Sequence, residues 1–225
     1  GSTPRRGAVL LSMRRFTDLG QVDREAHQVT VGAGVTIEQL QQQARAVGLD
    51  FAVDWGARAS ATVGGAVNTD AGGSRVVRLG TMRQQVLGVQ AVLADGSLID
   101  ELGGLPKNTA GPSLSQLLVG SEGTLAVVTA VRLRLVPWFR ETAAALVACD
   151  SLMPAVAMLP RLRQLSSLDA VEVLLPEGLQ VGVNPEEDRK RFYVSDSGIA
   201  LVTPESLGQR LHRLRWACTR IVSRP

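Results

Sequence analysis

The sequence predicts a mixed α+β fold, and three observations predict it. Segments rich in valine and leucine, each bounded by Gly, Asp or Pro, have the length and pattern of strands. One stretch between them repeats its apolar residues at helical spacing. An Asp-Gly pair interrupts an apolar run, which is the strongest short-range signal for a β-hairpin. With 225 residues, of which 45% are apolar, the chain is long enough to bury a core around these elements.

Four strands are predicted in the first part of the chain. They cover residues 8–13, 28–35, 86–94 and 125–136. The third is followed by Asp95 and Gly96 and then by a further apolar run at Leu98, so we expect it to turn back as a hairpin.

An amphipathic helix is predicted between the second and third strands, at about residues 36–47. Three apolar residues recur along one of its faces: Ile37, Leu40 and Ala44. Thr36 followed by Gln39 three residues later is the pattern of a capping box, and Gly48 is a typical stop signal. The sequence therefore predicts both ends of this helix.

A change in composition after Pro137 predicts a second domain. A strand, a capped helix and another strand are expected there, which is the start of a β-α-β unit. They cover residues 142–149, 151–165 and 171–175, with Ser151 as the cap. We therefore divide the chain into residues 1–138 and 139–225. In the second part, residues 184–188 are expected to form a loop and residues 207–222 a basic amphipathic helix packed on the domain.

Composition and charge exclude several classes of protein. The net charge of +3 comes from 24 basic and 21 acidic residues spread along the chain, and only 4% of residues are aromatic, so nucleic-acid binding is not expected. The longest apolar run is interrupted by Arg132 and Arg134, so no transmembrane segment is predicted. No signal-peptide pattern is present, and we expect a cytoplasmic protein. Cys149 and Cys218 lack ligand-like neighbours, and no metal site is predicted.

The most informative stretch covers residues 56–75, in which small residues dominate. Glycine at this density is typical of backbone that turns with positive φ or lies in contact with a flat or anionic ligand. Ser60, Thr62, Asn68 and Thr69 add short hydrogen-bonding side chains. On composition alone, a tight loop in a β-rich domain is the favoured explanation of this stretch.

A second block covers residues 117–129, includes Gly120-Ser121-Glu122-Gly123-Thr124, and follows the first in the order that a known family requires. Together the two blocks resemble the FAD-binding domain of the vanillyl-alcohol oxidase and p-cresol methylhydroxylase superfamily, and most closely its branch of D-lactate, D-2-hydroxyglutarate and glycolate dehydrogenases. The similarity also includes residues 31–35, 86–88, 92–96 and 107–111.

This resemblance implies an FAD-binding domain of the p-cresol methylhydroxylase type followed by an incomplete ferredoxin-like cap. The pyrophosphate-binding loop of the family is expected to precede Gly1. The residues that match flavin contacts are Gly56, Ala57, Ser60, Ala61, Thr62, Gly64, Gly65, Thr69, Asp70, Ala71, Gly72, Glu122, Gly123, Val127 and Val128. Glu122 also has an alternative interpretation, as a ligand for backbone amides in a turn.

The implied activity is oxidation of a small D-2-hydroxy acid by hydride transfer to FAD. The implied partners are this substrate, an electron-acceptor protein or a quinone, and a second copy in a homodimer. No catalytic base is assigned: His27 is expected in a turn and His212 on a solvated helix face. Two other hypotheses stay open. One is a non-catalytic fragment or degenerate paralogue that acts as a flavin-binding or scaffold module, and the other is an FAD subunit of the molybdenum-hydroxylase type.

Overall fold

The structure is a computed structural model that describes residues 6–105, 107, 109, 111–139, 145–148, 152–174 and 199–202. Its contacts divide the chain into two compact units. The first unit comprises Gly1–Gly73 and Gly80–Trp138, and the second comprises Ser74–Leu79 and Phe139–Pro225.

Nine strands and six helices are found among the described residues. The strands are β1 (Gln28–Gly32), β2 (Leu49–Asp50), β3 (Val86–Leu93), β4 (Leu98–Asp100), β5 (Ala126–Arg134), β6 (Val136–Pro137), β7 (Ala145–Ala148), β8 (Val171–Leu174) and β9 (Ile199–Val202). The helices are α1 (Ile37–Arg45), α2 (Val63–Asn68), α3 (Val76–Leu79), α4 (Met82–Gln85), α5 (Leu114–Leu118) and α6 (Leu152–Leu162). The mixed helix and sheet content that the sequence predicts is confirmed.

The main sheet of the first unit is antiparallel, with strand order β1-β5-β3-β4. Val131 in β5 lies opposite Val31 of β1 and Val89 of β3, and all three side chains are fully buried. Because side chains alternate between the two faces of a strand, the exposed Arg134 of β5 follows the buried Leu133. Strands β5 and β3 are the two inner strands of the sheet. β2 and β6 form a separate two-stranded antiparallel sheet.

The strand predicted over residues 8–13 is wrong. These residues form no strand, and Val9 is 94% exposed. Phe16 and Asp18, which come after the predicted strand, lie along the outer edge of β1 instead. Their carbonyls accept from the amides of Gly34 and Gly32, respectively, at 2.8 Å each. A Cβ at Gly34 would overlap the carbonyl oxygen of Met13, so this close passage requires glycine. The same contacts explain why β1 ends at Gly32 rather than continuing to residue 35.

The helix predicted over residues 36–47 is confirmed as α1. The Gln39 amide donates to Thr36 Oγ1 at 3.2 Å, and the Thr36 amide donates to Gln39 Oε1 at 2.9 Å, which completes the predicted capping box. The buried face of α1 consists of Ile37, Leu40, Gln41 and Ala44.

The predicted hairpin is also confirmed, as β3 and β4. Gly96 in its turn has a φ of +86°, which favours glycine. The Asp95 carboxylate accepts from the Ser97 hydroxyl at 2.6 Å and from the Ser97 amide at 2.9 Å. These two bonds hold the pKa of Asp95 below its usual value, and the bond from the Ser97 hydroxyl has the larger effect.

The second unit contains α3, α6 and a three-stranded sheet of order β7-β9-β8, in which both strand pairs are parallel. Ala155 of α6 is buried against Val147 and Val171. Arg75 and Arg78 both approach the Asp169 carboxylate, at 3.0 and 3.9 Å. This ion-pair cluster fixes residues 74–79 to the second unit.

The strand-helix-strand order predicted for the second part is present as β7, α6 and β8, whereas β9 was not predicted. Several further predictions lie outside the described residues: the Ser151 cap, the loop at 184–188, the helix at 207–222, and Cys149, His212 and Cys218. In the described part of the chain, no helix is both long and apolar enough to cross a membrane.

We predict that replacing Gly88 by Ala destabilises the first unit. A Cβ there would overlap the backbone carbonyl oxygen of Glu101, which cannot rotate away, so strand β3 must shift. We expect the free energy of unfolding to fall by roughly 1–3 kcal/mol. Gly103→Ala is the matched control, because a Cβ at Gly103 has no heavy atom within 4 Å, and it should change stability by less than about 0.5 kcal/mol. Equal urea midpoints for the two variants would contradict this packing.

Candidate functional site

Helix α2 lies inside the first glycine-rich block, and its start is fixed by contacts with the chain that follows β1. Thr62 caps the helix by accepting from the Gly65 amide at 3.2 Å. The Val63 and Gly64 amides donate to the carbonyls of Val35 and Ala33, each at 2.8 Å. The first turn of α2 is therefore attached to the backbone between β1 and α1.

Gly64 is buried where α2 meets this backbone. A Cβ at Gly64 would lie 2.7 Å from the Cβ of Ala33 and 3.0 Å from the Ala33 carbonyl oxygen. Only glycine permits this separation, so the residue is explained by packing between two parts of the protein.

A tight turn at residues 69–71 ends helix α2. The Thr69 hydroxyl donates to the Gly65 carbonyl at 3.0 Å, and the Ala71 amide donates to the Ala66 carbonyl at 2.9 Å. Asp70 has a φ of +47°, a conformation that Asp and Asn tolerate better than most residues. The turn therefore reverses the chain directly after the helix.

The second block docks on this end of α2. The Gly120 amide donates to the Val67 carbonyl at 2.9 Å, and the Glu122 amide donates to the Asn68 carbonyl at 2.8 Å. Gly120, Glu122 and Gly123 all have positive φ, between +52° and +80°. We call the contact between the C-terminal end of α2 and residues 120–123 the α2 junction. It brings together the two blocks that are separated by about 50 residues in the sequence.

Arg83, in helix α4, adds a charged link at the α2 junction. Its Nε donates to Asp70 Oδ2 at 3.2 Å, and its Nη1 and Nη2 donate to the carbonyls of Gln116 and Val119 at 2.7 and 2.6 Å. The Arg83 amide also donates to Asp70 Oδ1, at 2.9 Å. Both oxygens of the Asp70 carboxylate therefore accept hydrogen bonds from Arg83.

The residues predicted to contact the flavin differ in exposure. Exposed are Gly56, Ala57, Ser60, Gly65, Thr69, Glu122, Gly123 and Val127; partly buried are Ala61, Thr62, Asp70, Ala71 and Gly72; buried are Gly64 and Val128. Val127 and Val128 are neighbours on β5, so their side chains point to opposite faces of the sheet. Val128 belongs to the core, and only its backbone is available to a ligand.

Residues 56–60 form a turn that precedes the other end of α2. Ser60 Oγ donates to the Ala57 carbonyl at 3.2 Å within this turn. A helix of six residues spans about 9 Å, so this turn and the α2 junction are separated by about that length of helix. The predicted residues therefore extend along α2 rather than surrounding one point.

Two features of the α2 junction fit a bound FAD. Asn68 Oδ1 and Ser121 Oγ are both buried and have no hydrogen-bond partner among the described residues. Such atoms raise the free energy of the folded chain unless a ligand or water satisfies them. A Cβ at Gly123 would have only Asn68 Nδ2 within 4 Å, at 3.9 Å. Polar atoms in need of partners and backbone open to close approach both fit a flat, polar cofactor.

Sequence reasoning did not select Arg83 or Ser121 as site residues, and it named Asn68 only as a short hydrogen-bonding side chain of the first block. Asn68 and Ser121 carry a local signal, because each lies inside one of the two small-residue blocks. Arg83 has no local signal in the sequence, because only the folded chain brings it into contact with Asp70, Gln116 and Val119. His27 lies in a turn, as predicted, with a φ of +53°.

The comparisons with known proteins identify the first part of the chain. Residues 1–101 match a family described as FAD binding domain. Residues 144–202 match a second family, described as GlmU-like, C-terminal hexapeptide. Hexapeptide repeats build parallel β-helices, whereas this range contains the 11-residue helix α6, so the second match carries no functional conclusion here.

Several relatives are named as dehydrogenases or oxidases. The chain is 47% identical over 141 residues to a D-lactate dehydrogenase of Archaeoglobus fulgidus, covering 63% of this chain and 31% of the relative. It is 39% identical over 138 residues to a D-2-hydroxyglutarate dehydrogenase of Xanthomonas citri pv. viticola, covering 60% and 29%. It is 35% identical over 137 residues to the glycolate oxidase subunit GlcD of Bacillus subtilis, covering 61% and 29%. The chain thus spans about three tenths of the length of these relatives.

A solved structure shares the fold. The chain superposes on alkyldihydroxyacetonephosphate synthase with a TM-score of 0.56 at 20% identity, covering 69% of this chain and 28% of that chain. At this identity the likeness shows the fold alone, and the family match describes residues 1–101 as an FAD binding domain. The homologues of the chain include proteins named D-lactate dehydrogenase, D-2-hydroxyglutarate dehydrogenase and glycolate oxidase, which confirms the resemblance found in the sequence.

We predict that Gly64→Ala destabilises the chain and that a second substitution restores it. The added methyl group lies too close to the Ala33 methyl group, so we expect a loss of roughly 1–3 kcal/mol in the free energy of unfolding. The double variant Gly64→Ala, Ala33→Gly removes the facing methyl group and should recover at least half of that loss. Chemical denaturation measures both. A single variant as stable as wild type, or no recovery in the double variant, would show that α2 does not pack as described.

Proposed function

We propose that the chain is the FAD-binding part of an oxidoreductase that oxidises a small D-2-hydroxy acid of the lactate, glycolate or 2-hydroxyglutarate class. The observation that carries the proposal is the α2 junction, where the first glycine-rich block, which lies within the range that matches an FAD binding domain, meets the second block. The names of the relatives supply the substrate class.

FAD, when bound, accepts a hydride from the carbon that carries the hydroxyl group. The contribution of this chain is to bind and orient the cofactor. We assign this role to the fifteen residues predicted from the sequence, divided by their surroundings. The exposed residues along α2 and in the 120–123 turn offer backbone groups to the cofactor. The capping Thr62 and the buried Gly64 hold α2 in place, so they act through the backbone that they position.

The second part of the chain, residues 139–225, is proposed as a partial substrate-binding cap with a ferredoxin-like fold. In support, β7, α6 and β8 form a strand-helix-strand sequence, with β9 inserted between the two strands in the sheet. Both strand pairs with β9 are parallel, whereas neighbouring strands of a ferredoxin-like sheet alternate in direction, so the support comes from the strand order and not from the strand directions. The division of the chain at residue 138, the electron acceptor, the homodimer and the cytoplasmic location all stay predictions.

A non-catalytic flavin or scaffold module is the alternative, and the names of the relatives make it less favoured. The two are separated by the redox behaviour of the bound flavin. We predict that FAD bound to the protein is reduced under anaerobic conditions by at least one of D-lactate, glycolate and D-2-hydroxyglutarate, which bleaches the visible flavin bands. L-Lactate and L-2-hydroxyglutarate are the controls and should leave the bands unchanged.

Two results would count against the proposed activity. The first is bound FAD that dithionite reduces but that none of the three acids reduces, which is the behaviour of a flavin module without this activity. The second is reduction at equal rates by both enantiomers of lactate, because an enzyme site that recognises a D-2-hydroxy acid must distinguish the two hands.

The placement of the cofactor along α2 gives a separate prediction. Gly65 is exposed on α2, and a Cβ there would have only Thr62 Oγ1 close by, at 3.3 Å. Because leucine is a better helix former than glycine, Gly65→Leu should change stability by less than about 1 kcal/mol. It should nevertheless abolish retention of FAD after desalting, because the side chain takes the space of the flavin. Gly103→Leu, at an exposed position outside the proposed site, is the control and should retain FAD as wild type does. Full flavin occupancy in Gly65→Leu would contradict the placement.

A further inference from the structure

We infer that Arg83 is a positioning residue for FAD, which it does not touch, and that Asp70 acts through Arg83 rather than by contacting the flavin. The inference rests on the proposed placement of FAD at the α2 junction. Two turns, at residues 69–71 and 120–123, form this junction.

The guanidinium group of Arg83 reaches three separate acceptors. One nitrogen donates to the Asp70 carboxylate in the turn after α2, and the other two donate to the carbonyls of Gln116 and Val119, which precede the 120–123 turn. Arg83 therefore joins the two turns on which the proposed FAD site depends. Gln116 returns the contact, since its Nε2 donates to the Arg83 and Val86 carbonyls at 3.2 Å each.

The surroundings of Gly120 show that the Arg83 and Asp70 side chains lie close to the backbone of the 120–123 turn. A Cβ at Gly120 would lie 3.1 Å from Arg83 Nη2 and 3.4 Å from the Cβ of Asp70, and the residue has a φ of +80°. Glycine at position 120 therefore admits both side chains beside the turn, and the turn is held from one side by Arg83 and from the other by the Val67 carbonyl.

Each oxygen of the Asp70 carboxylate accepts a hydrogen bond from Arg83. One oxygen accepts from the Arg83 amide at 2.9 Å and the other from Nε at 3.2 Å. Asp70 also has a positive φ, which the paired carboxylate helps to maintain. A carboxylate committed in this way positions the neighbouring Ala71 and Gly72, and it is not the group that we expect to meet the flavin.

Only arginine meets these three acceptors together. Its planar fork carries donors on three nitrogens that point in fixed, different directions, whereas the three N–H groups of lysine share one nitrogen. Arg83→Lys keeps the charge and should lose part of the geometry, while Arg83→Met keeps much of the length and loses all the donors.

Two comparisons distinguish a positioning role of Arg83 from a purely structural one: the exposure of the Arg83–Asp70 pair, and a control substitution at Arg45. The side chain of Arg83 is 40% exposed and that of Asp70 26%, so breaking this pair should have a small effect on folding. Arg45 forms a similar two-bond pair with Asp50, at 3.0 and 3.1 Å, but Asp50 is only 2% exposed. Arg45→Met removes the charged partner of a buried carboxylate, which keeps the hydrogen bond from the Phe51 amide at 2.9 Å. This variant should destabilise the fold at least as much, although Arg45 lies outside the proposed site.

The test compares the FAD dissociation constants of wild type and of four variants of the full chain, far below their melting temperatures. The variants are Arg83→Met, Arg83→Lys, Asp70→Asn and Arg45→Met. The readout is quenching of flavin fluorescence on titration with FAD. We expect Arg83→Met to weaken binding at least tenfold, in line with the loss of hydrogen bonds to a charged group. Arg83→Lys and Asp70→Asn should lie between it and wild type, and Arg45→Met should stay within about twofold of wild type.

A second readout needs no FAD. Hydrogen exchange at the Gly120 and Glu122 amides, which bond to Val67 and Asn68, should accelerate in Arg83→Met and stay unchanged in Arg45→Met. Wild-type FAD affinity in Arg83→Met, or equal weakening in Arg45→Met, overturns the inference while leaving the proposed function intact. A wild-type chain that binds no FAD overturns the proposed function and the inference with it.

Discussion

Two backbone hydrogen bonds, from Gly120 to Val67 and from Glu122 to Asn68, hold together the parts of the chain on which the proposed function depends. They require two turns with positive φ, because an extended chain after α5 would carry these amides away from the end of α2. The inner strand β5 begins directly after the second turn. The same two bonds therefore place the chain that leads into β5 beside the C-terminal end of helix α2.

The glycines near this contact serve different physical purposes. Gly64 permits α2 to pack against Ala33, Gly120 admits the Arg83 and Asp70 side chains, and Gly65 and Gly123 leave backbone open to a ligand. Packing within the protein thus explains Gly64 and Gly120. The flavin interpretation stays a prediction for the residues of this segment whose backbone is open.

The sequence predicted what depends on local pattern. The capping box of Thr36 and Gln39, the Asp95-Gly96 hairpin and the strands around Val89 and Val131 follow from spacing that is visible within a few residues. The failures depend on distant partners. Residues 8–13 have the composition of a strand, but residues 13–20 occupy the neighbouring edge of β1. Arg83 could not be selected, because each of its side-chain acceptors lies 13 to 36 residues away. The substrate class came from the order of family motifs, and no spacing of residues predicts it.

The most direct test of the central claim is backbone hydrogen exchange of the chain with and without saturating FAD. If the cofactor lies along α2 and across the α2 junction, exchange should slow at residues 64–72 and 120–128. The β3–β4 turn at residues 94–97, which is exposed and lies outside the proposed site, should exchange at the same rate in both states. Binding of FAD with no slowing in either of the two segments would contradict the account, because the cofactor would then be held elsewhere on the chain.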